Sequence, residues 1–256
     1  MAFRKFVFVL FLGAVYGTAE DDFVKSLPQC SVQDNPCLEQ VMIRKLNNPG
    51  LPTYGVLPFD PMYLNGISVN LPNLVNVTID NAVLTGVTTC VFESFAIDST
   101  AGTVKEEVRC NLTLKGGYTA DAPNSVLAAD FQTDQDLHGQ GTGQISVVNL
   151  DMKIEVPLHF EKRRNETFII CSYDEGKCDF EYQGSVVFAA DNLNVGDQNI
   201  ASDVVSYLNE NWQQSSFGQA FVNEYLKLYY AYTKRFFEGV PTRLYITDDL
   251  TPYLQN

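Results

Sequence analysis

Two imidazoles, His138 and His159, are the only unperturbed side chains in this 256-residue chain that could trade protons near neutral pH. Neither has a nucleophile motif beside it, and His159 falls on the polar side of an alternating segment. Gly139-Gln140-Gly141-Thr142-Gly143 superficially resembles a phosphate loop. Such a loop joins a strand to a helix, whereas strand follows here, so the run reads as a closely packed or flexible β-segment. Glu93, Glu106, Glu107, Asp121, Asp130, Asp134 and Asp136 are scattered over loops and outer faces, as solvating carboxylates are, and do not pair as an acid and a base would. No catalytic residue, no metal ligand set and no cofactor is assigned; the chain reads as a protein that is not an enzyme.

The six cysteines have 15 possible pairings, and spacing narrows them. Cys30 and Cys37 flank the turn formers Asp34, Asn35 and Pro36. Cys90 and Cys110 are equidistant from position 100, inside the turn-like Asp98-Ser99-Thr100-Ala101-Gly102, so an antiparallel hairpin would set them opposite each other. Cys171 and Cys178 flank Asp174-Glu175-Gly176-Lys177 in the same manner. Three local disulfides are expected. A metal or redox site would need Cys-x-x-Cys or Cys/His spacing, which is absent.

Oxidised cysteines require an oxidising compartment, and the N-terminus supplies a route to it. Arg4 and Lys5 precede an apolar run from Phe6 to Val15, then small residues at Gly17 and Ala19, the pattern of a signal peptide over residues 1–19. The run is too short to span a bilayer, which takes about 20 residues, and no membrane span is expected. Its removal leaves 15 Lys+Arg against 31 Asp+Glu, a formal charge of −16. That charge opposes binding to nucleic acid and to anionic membrane, and favours solubility in an extracellular fluid. Asn76, Asn111 and Asn165 each open a glycosylation sequon and should lie at the surface. No linker or low-complexity tract divides residues 20–256, which read as a single domain.

Two periodicities organise that domain. From Val148 to Phe160 every even position is apolar and the odd ones are polar or proline, marking a strand with one buried face. Pro157 places an edge or a bulge there, because proline cannot donate to a ladder. Val75, Val77 and Ile79, and Val108, Cys110, Leu112 and Leu114, alternate likewise. Further strands are expected around 83–97, 126–134, 167–172, 178–183 and 185–190. After Asn192 the period changes to three and four. Val204, Val205, Leu208 and Trp212, then Phe221, Tyr225, Leu228, Tyr229, Tyr232 and Phe236, put an aromatic stripe on a long helix over about 199–238, weakened at Ser215, Ser216 and Gly218 and stopped by Gly239 and Pro241. A shorter helix should cover Asn35 to Leu46, with Leu38, Val41, Met42 and Leu46 inward.

A run of amphipathic strands with one late aromatic helix suggests an α+β fold in which the sheet curls around the helix and leaves a cavity. The sequence also resembles the insect juvenile-hormone-binding and takeout-like proteins. The resemblance is carried by Leu27-Pro28 with Cys30 and Cys37-Leu38, by Gly55-Val56-Leu57-Pro58-Phe59-Asp60-Pro61, by Asn192-Leu193-Asn194 with Gly196-Asp197, by Leu208-Asn209-Glu210-Asn211-Trp212, and by Val240-Pro241. These occur in the family's order over almost the whole mature chain. The resemblance implies a long C-terminal helix wrapped by a strongly curved antiparallel sheet, elongated, with an internal apolar tunnel. It implies a lipid-like ligand such as a terpenoid hormone or fatty-acid derivative, and an N-terminal disulfide, which Cys30–Cys37 matches. The other four cysteines depart from the usual takeout pattern.

A carrier of this kind needs an apolar lining and a few orienting polar groups. The candidates are Phe92, Phe95 and Phe131 from the sheet and Trp212, Phe221, Tyr225, Leu228, Tyr229 and Tyr232 from the helix. The tyrosines are favoured, because a buried hydroxyl seeks a partner and a ligand oxygen is one. The expected partners are a small apolar ligand and a receptor, with the chain itself a monomer. The alternative is an extracellular signalling or recognition module that acts through its surface without bound lipid.

Overall fold

The computed structural model describes residues 19–64, 67–71, 75–122, 136–182, 186–195, 197–203, 206, 210 and 216–254. Helix α1, Asn35–Leu46, begins where the Asp34 carboxylate accepts from Cys37 N at 3.1 Å with Pro36 in the first turn. It buries Leu38, Val41, Met42 and Leu46 as the period requires, and Lys45 with them. Helix α2, Ser216–Gly239, carries the aromatic stripe. Residues 201–203, 206 and 210 are also helical.

The sheet has eleven strands among the described residues: β1 (Met62–Leu64), β2 (Ile67–Leu71), β3 (Val75–Thr85), β4 (Val91–Asp98), β5 (Thr103–Ala122), β6 (Leu137–Arg163), β7 (Glu166–Cys171), β8 (Lys177–Tyr182), β9 (Val186–Ala190), β10 (Leu193–Val195) and β11 (Gln198–Asn199). All pairs are antiparallel. β5 and β6 form one long ladder from Thr103↔Pro157 to Ala122↔Leu137. The free edge of β5 is shared by β4 and β3, and that of β6 is lined end to end by β7, β8, β9 and β10. The curved sheet is not closed. α2 packs on its inner face, against β7 and β2 among others.

Three register shifts interrupt the described ladders, one of them in β3 between Asp80 and Val83, and the other two bear on the alternation read from the sequence. Between Phe92 and Ser94 the register shifts, which returns Phe95 to the face Phe92 occupies although the two are three residues apart. A second shift, between Cys110 and Leu112, lies opposite Asn149, which has φ 53°. Val147 and Leu150 are therefore both buried and Val148 is exposed, a departure from the uniform alternation read from the sequence.

Pro157 also sits elsewhere than expected. β6 is not an edge strand; Pro157 lies where the neighbouring chain leaves the ladder between Cys171, opposite Leu158, and Lys177, opposite Glu155. The glycine run belongs to β6. A Cβ on Gly141 would stand 1.8 Å from Asp191 Oδ1, and that carboxylate accepts from Thr142 N at 2.7 Å. Glycine is needed there for close backbone packing, not for phosphate. The strand expected at 83–97 is two strands, β3 and β4, separated by a 3-10 turn at Val87–Thr89 that Asp60 caps through Gly86 N, Thr88 N and Thr88 Oγ1. The segment expected as a strand at 126–134 lies outside the described residues. No helix of the described residues is long and apolar enough to cross a membrane.

Cys30–Cys37 and Cys90–Cys110 are disulfides, with Cα–Cα separations of 5.6 and 4.2 Å. Cys171 and Cys178 are free thiols, contrary to the third expected pair. The chain between them does not fold back as a hairpin. β7 and β8 lie end to end along β6, so the two cysteines stand opposite Leu158 and Ile154. Four residues at roughly 3.3 Å each put them about 13 Å apart, beyond the roughly 7 Å that a disulfide spans. Thiol titration of the unreduced, denatured protein should therefore count two thiols per chain. A count of zero would restore the third bridge.

Candidate functional site

Along β5 the inward positions run Glu106, Val108, Cys110, Leu112 and Leu114, so one carboxylate shares a face with four apolar residues. Glu106 is 5% exposed, which corrects its assignment to an outer surface. The alternation of Val108 to Leu114, extended back by one pair, held the signal. Lys45 likewise follows Leu38, Val41 and Met42 on the buried stripe of α1 and is 0% exposed.

These two charges meet across α2. Lys45 Nζ donates to Tyr229 Oη at 3.3 Å and to Thr233 Oγ1 at 3.1 Å, and Tyr229 Oη donates to Glu106 Oε2 at 3.1 Å. Tyr229 and Thr233 are one helical turn apart, so both present oxygens to the same ammonium. The rings of Tyr229, Phe59 and Phe237 surround that ammonium at 4.8, 5.3 and 5.6 Å from their centroids. Burial pushes the Lys45 ammonium down to about 8, against the opposing pull of Glu106. Burial pushes the Glu106 carboxyl up, with Lys45 and the Tyr229 hydrogen bond opposing.

The expected lining residues that the structure describes share one apolar core with this cluster. Phe92 and Phe95 meet edge to face at 6.4 Å on β4, and Phe221, Tyr225, Tyr229 and Tyr232 are buried on α2, all within one apolar core. Leu228 is half-buried and packs against that core. Tyr225 lies 6.0 Å from Tyr229, and the Tyr225 hydroxyl lies 4.0 Å from Cys110 Sγ. Phe131 and Trp212 lie outside the described residues.

A cleft of about 900 Å³ opens beside α2, and none of these expected residues lines it. Its walls are the Asn223–Glu238 stretch of α2 and the Ser172–Gly176 excursion between β7 and β8. Tyr173 of the excursion stacks on Tyr230 of α2, centroids 4.6 Å apart and planes 22° apart. Cys171 and Cys178 also line the cleft. Burial pushes their thiols up to about 11 and about 12, so neither is a thiolate nucleophile at neutral pH. No periodicity or motif signals this cleft, because it forms where a ladder breaks.

Asn76, Asn111 and Asn165 are exposed. Cys30 forms a backbone bridge with the C-terminal segment, accepting from Thr247 N at 2.9 Å and donating to Tyr245 O at 3.0 Å. This fixes Tyr245, 1% exposed, beside Phe236 and Phe237.

Among solved structures, the chain is similar to that described as the crystal structure of Epiphyas postvittana Takeout 1, with TM-score 0.74 and 22% identity, covering 87% of this chain and 100% of that one. At this identity the likeness shows the fold. A lipopolysaccharide binding protein aligns over 80% of this chain and 38% of its own length at 8% identity, and its TM-score of 0.36 carries no argument. No curated protein matches the chain. The family model for haemolymph juvenile hormone binding protein matches residues 6–244, and the chain belongs to that family.

Proposed function

We propose that this protein is a secreted carrier that holds a small apolar molecule in an internal tunnel between the curved sheet and α2. The observation that carries the reading is the single aromatic core in which Phe221, Tyr225, Tyr229 and Tyr232 of the helix join Phe92 and Phe95 of the sheet. Apolar surface gains roughly 25 cal/mol per Å² on leaving water, so a lining of this kind supplies affinity without chemistry. Family membership and the likeness to Takeout 1 support the reading. A terpenoid hormone or a fatty-acid derivative is the proposed cargo. Residues 1–19 are the proposed signal peptide, residues 20–256 the mature domain, and Asn76, Asn111 and Asn165 the proposed glycosylation sites. The mature chain acts as a monomer that delivers its ligand to a receptor.

Native mass spectrometry of glycan-trimmed protein from a eukaryotic secretory host, followed by organic extraction, tests the proposal. A stoichiometric apolar molecule that leaves on unfolding, and that terpenoids or fatty acids displace, is the expected result. A clean apo mass combined with no uptake from a broad lipid panel would overturn it in favour of a module that acts through its surface.

A further inference from the structure

We propose that the sugar carried by Asn111 is a structural part of the sheet's outer face, its first N-acetylglucosamine ring lying over Val91 and Val148 and steadying the β6 bulge beside them. The proposal rests on the reading of Asn111 as a glycosylation site and adds a role that the other two sequons lack.

Four large apolar side chains are exposed among the described residues, and two of them, Val91 at 61% and Val148 at 37%, flank Asn111. The ladders fix this arrangement. Val91 stands opposite Arg109, which precedes Asn111 by one step on the outer face of β5. Val148 and Asn149 together oppose Asn111 where β6 bulges between Val147 and Leu150. Opposite and diagonal side chains on one sheet face stand about 5 and 7–8 Å apart, within reach of one pyranose ring and its N-acetyl group. A single exposed valine needs no explanation, but two that flank a sequon form a surface that a glycan covers.

The asparagine itself is held. Its backbone oxygen accepts from Thr89 Oγ1 at 3.2 Å, and its Oδ1 accepts from Asn149 N at 2.8 Å. Asn149 has φ 53°, and this bond satisfies an amide that the bulge takes out of the ladder. With Oδ1 pinned, the planar amide has one orientation. Nδ2, the atom that receives the sugar, makes no hydrogen bond among the described residues.

Transfer from a lipid-linked diphosphate sugar forms a bond from Nδ2 to the anomeric carbon. That carbon's bond to the diphosphate oxygen breaks, the diphosphate leaves, and one amide proton is released. Oδ1 remains an acceptor, so the bond from Asn149 N survives the modification. The C–H faces of the ring and its acetyl methyl then cover the valines while its hydroxyls stay in water. Neither other sequon offers this surface. Asn76 lies between Asn70 and Asp121 in the ladders, and Asn165 sits in the turn between Arg163 and Glu166.

The test compares full mature chains from a eukaryotic secretory host, trimmed to one N-acetylglucosamine per site, with the same sequences made unglycosylated in a bacterial periplasm. Asn76→Gln with Asn165→Gln leaves Asn111 as the single sequon. Its sugar should raise Tm by about 2–4 °C in a domain of this size, and should slow hydrogen exchange at the Asn149 amide. Adding Val91→Thr and Val148→Thr keeps the side-chain shapes, removes apolar surface and should cut that gain at least about twofold. Asn111→Asp keeps the acceptor for Asn149 N and removes the sugar; the sugars left at Asn76 and Asn165 should move Tm by less than about 1 °C. An equal gain with and without the two valines, equal gains from all three sites, or unchanged exchange at Asn149 would each overturn the proposal. Peptide mapping that finds Asn111 unmodified in the secreted protein would instead remove the glycosylation reading on which it stands.

Discussion

Glu106→Ala should destabilise the fold by about 3–5 kcal/mol, because it strands the Lys45 ammonium in an apolar interior without its counter-charge. Denaturant unfolding followed by circular dichroism measures the loss. The expectation follows from geometry: Lys45 is fully buried, Glu106 nearly so, and Tyr229 bridges them. Pairing buried charges offsets a desolvation cost of several kcal/mol per ion, whereas removing one partner leaves that cost exposed. The double variant Glu106→Leu with Lys45→Met removes both charges and should be more stable than either single variant. A loss below about 1 kcal/mol in Glu106→Ala would show that water or another residue already satisfies Lys45.

The same pair gives the protein a characteristic pH response. The Lys45 ammonium has an ordinary value of 10.5 in the unfolded chain and is held down to about 8 in the fold. Between those values the unfolded state binds more protons, so stability rises with pH, by at most about 1.4 kcal/mol per unit. Below about 8 the Lys45 contribution is constant. Glu106 acts in the opposite sense at acid pH. Its folded carboxyl keeps a proton above the ordinary 4.5, so stability falls as pH rises through that region. Above about 10 the buried tyrosines, which burial holds in their neutral form, oppose the lysine effect as the unfolded phenols ionise. Melting temperature measured from pH 8 to 9.5 should therefore climb in the wild type relative to Lys45→Met. Parallel curves for the two proteins would show that Lys45 does not release its proton in this range.

Phe59→Ala should cost about 3–5 kcal/mol, the range for deleting a fully buried phenylalanine and leaving its cavity. Phe59 is 0% exposed and meets Tyr229 and Tyr232 edge to face at 6.5 and 5.7 Å. It also forms one wall of the ring cage around Lys45, so its removal loosens the lysine as well as the packing. Phe59→Leu keeps most of the volume and loses the aromatic face, and should cost about half as much. A loss in Phe59→Ala no larger than that of a surface substitution, within about 0.5 kcal/mol, would mean that the loop carrying Phe59 does not dock on α2.

Much of this architecture is written locally. The boundaries of α1 follow from Asp34, Pro36 and a three-and-four period, and Asn35–Leu46 is helical as that pattern requires. The stop at Gly239 and Pro241 ends α2 where expected. The equidistance of Cys90 and Cys110 from one turn sufficed to pair them, because a hairpin is a local object. The inward faces of β5 and α1 even contained the buried charges. Glu106 and Lys45 lie in phase with their apolar neighbours, and within an uninterrupted stretch of strand or helix that phase places them on the buried face whatever their charge.

What the sequence could not decide was everything that depends on how a long strand meets its neighbours. The same Cys-turn-Cys pattern that bridges Cys90 to Cys110 leaves Cys171 and Cys178 apart, because β7 and β8 continue along one edge of β6 instead of folding on each other. Bulges at Ser94 and Asn149 reset which residues face inward, and a bulge is a compromise between two strands that neither encodes alone. The cleft arises at the break in that ladder, and the pairing of Lys45 with Glu106 needs α1, β5 and α2 brought together across more than 180 positions of chain. The sequence by itself determined α1, the end of α2, the β character of the middle of the chain and the family, because capping and periodicity act over a few neighbouring residues. Only the tertiary structure decided which buried polar groups would find partners, because hydrogen bonds depend on distances between elements that no periodicity sets.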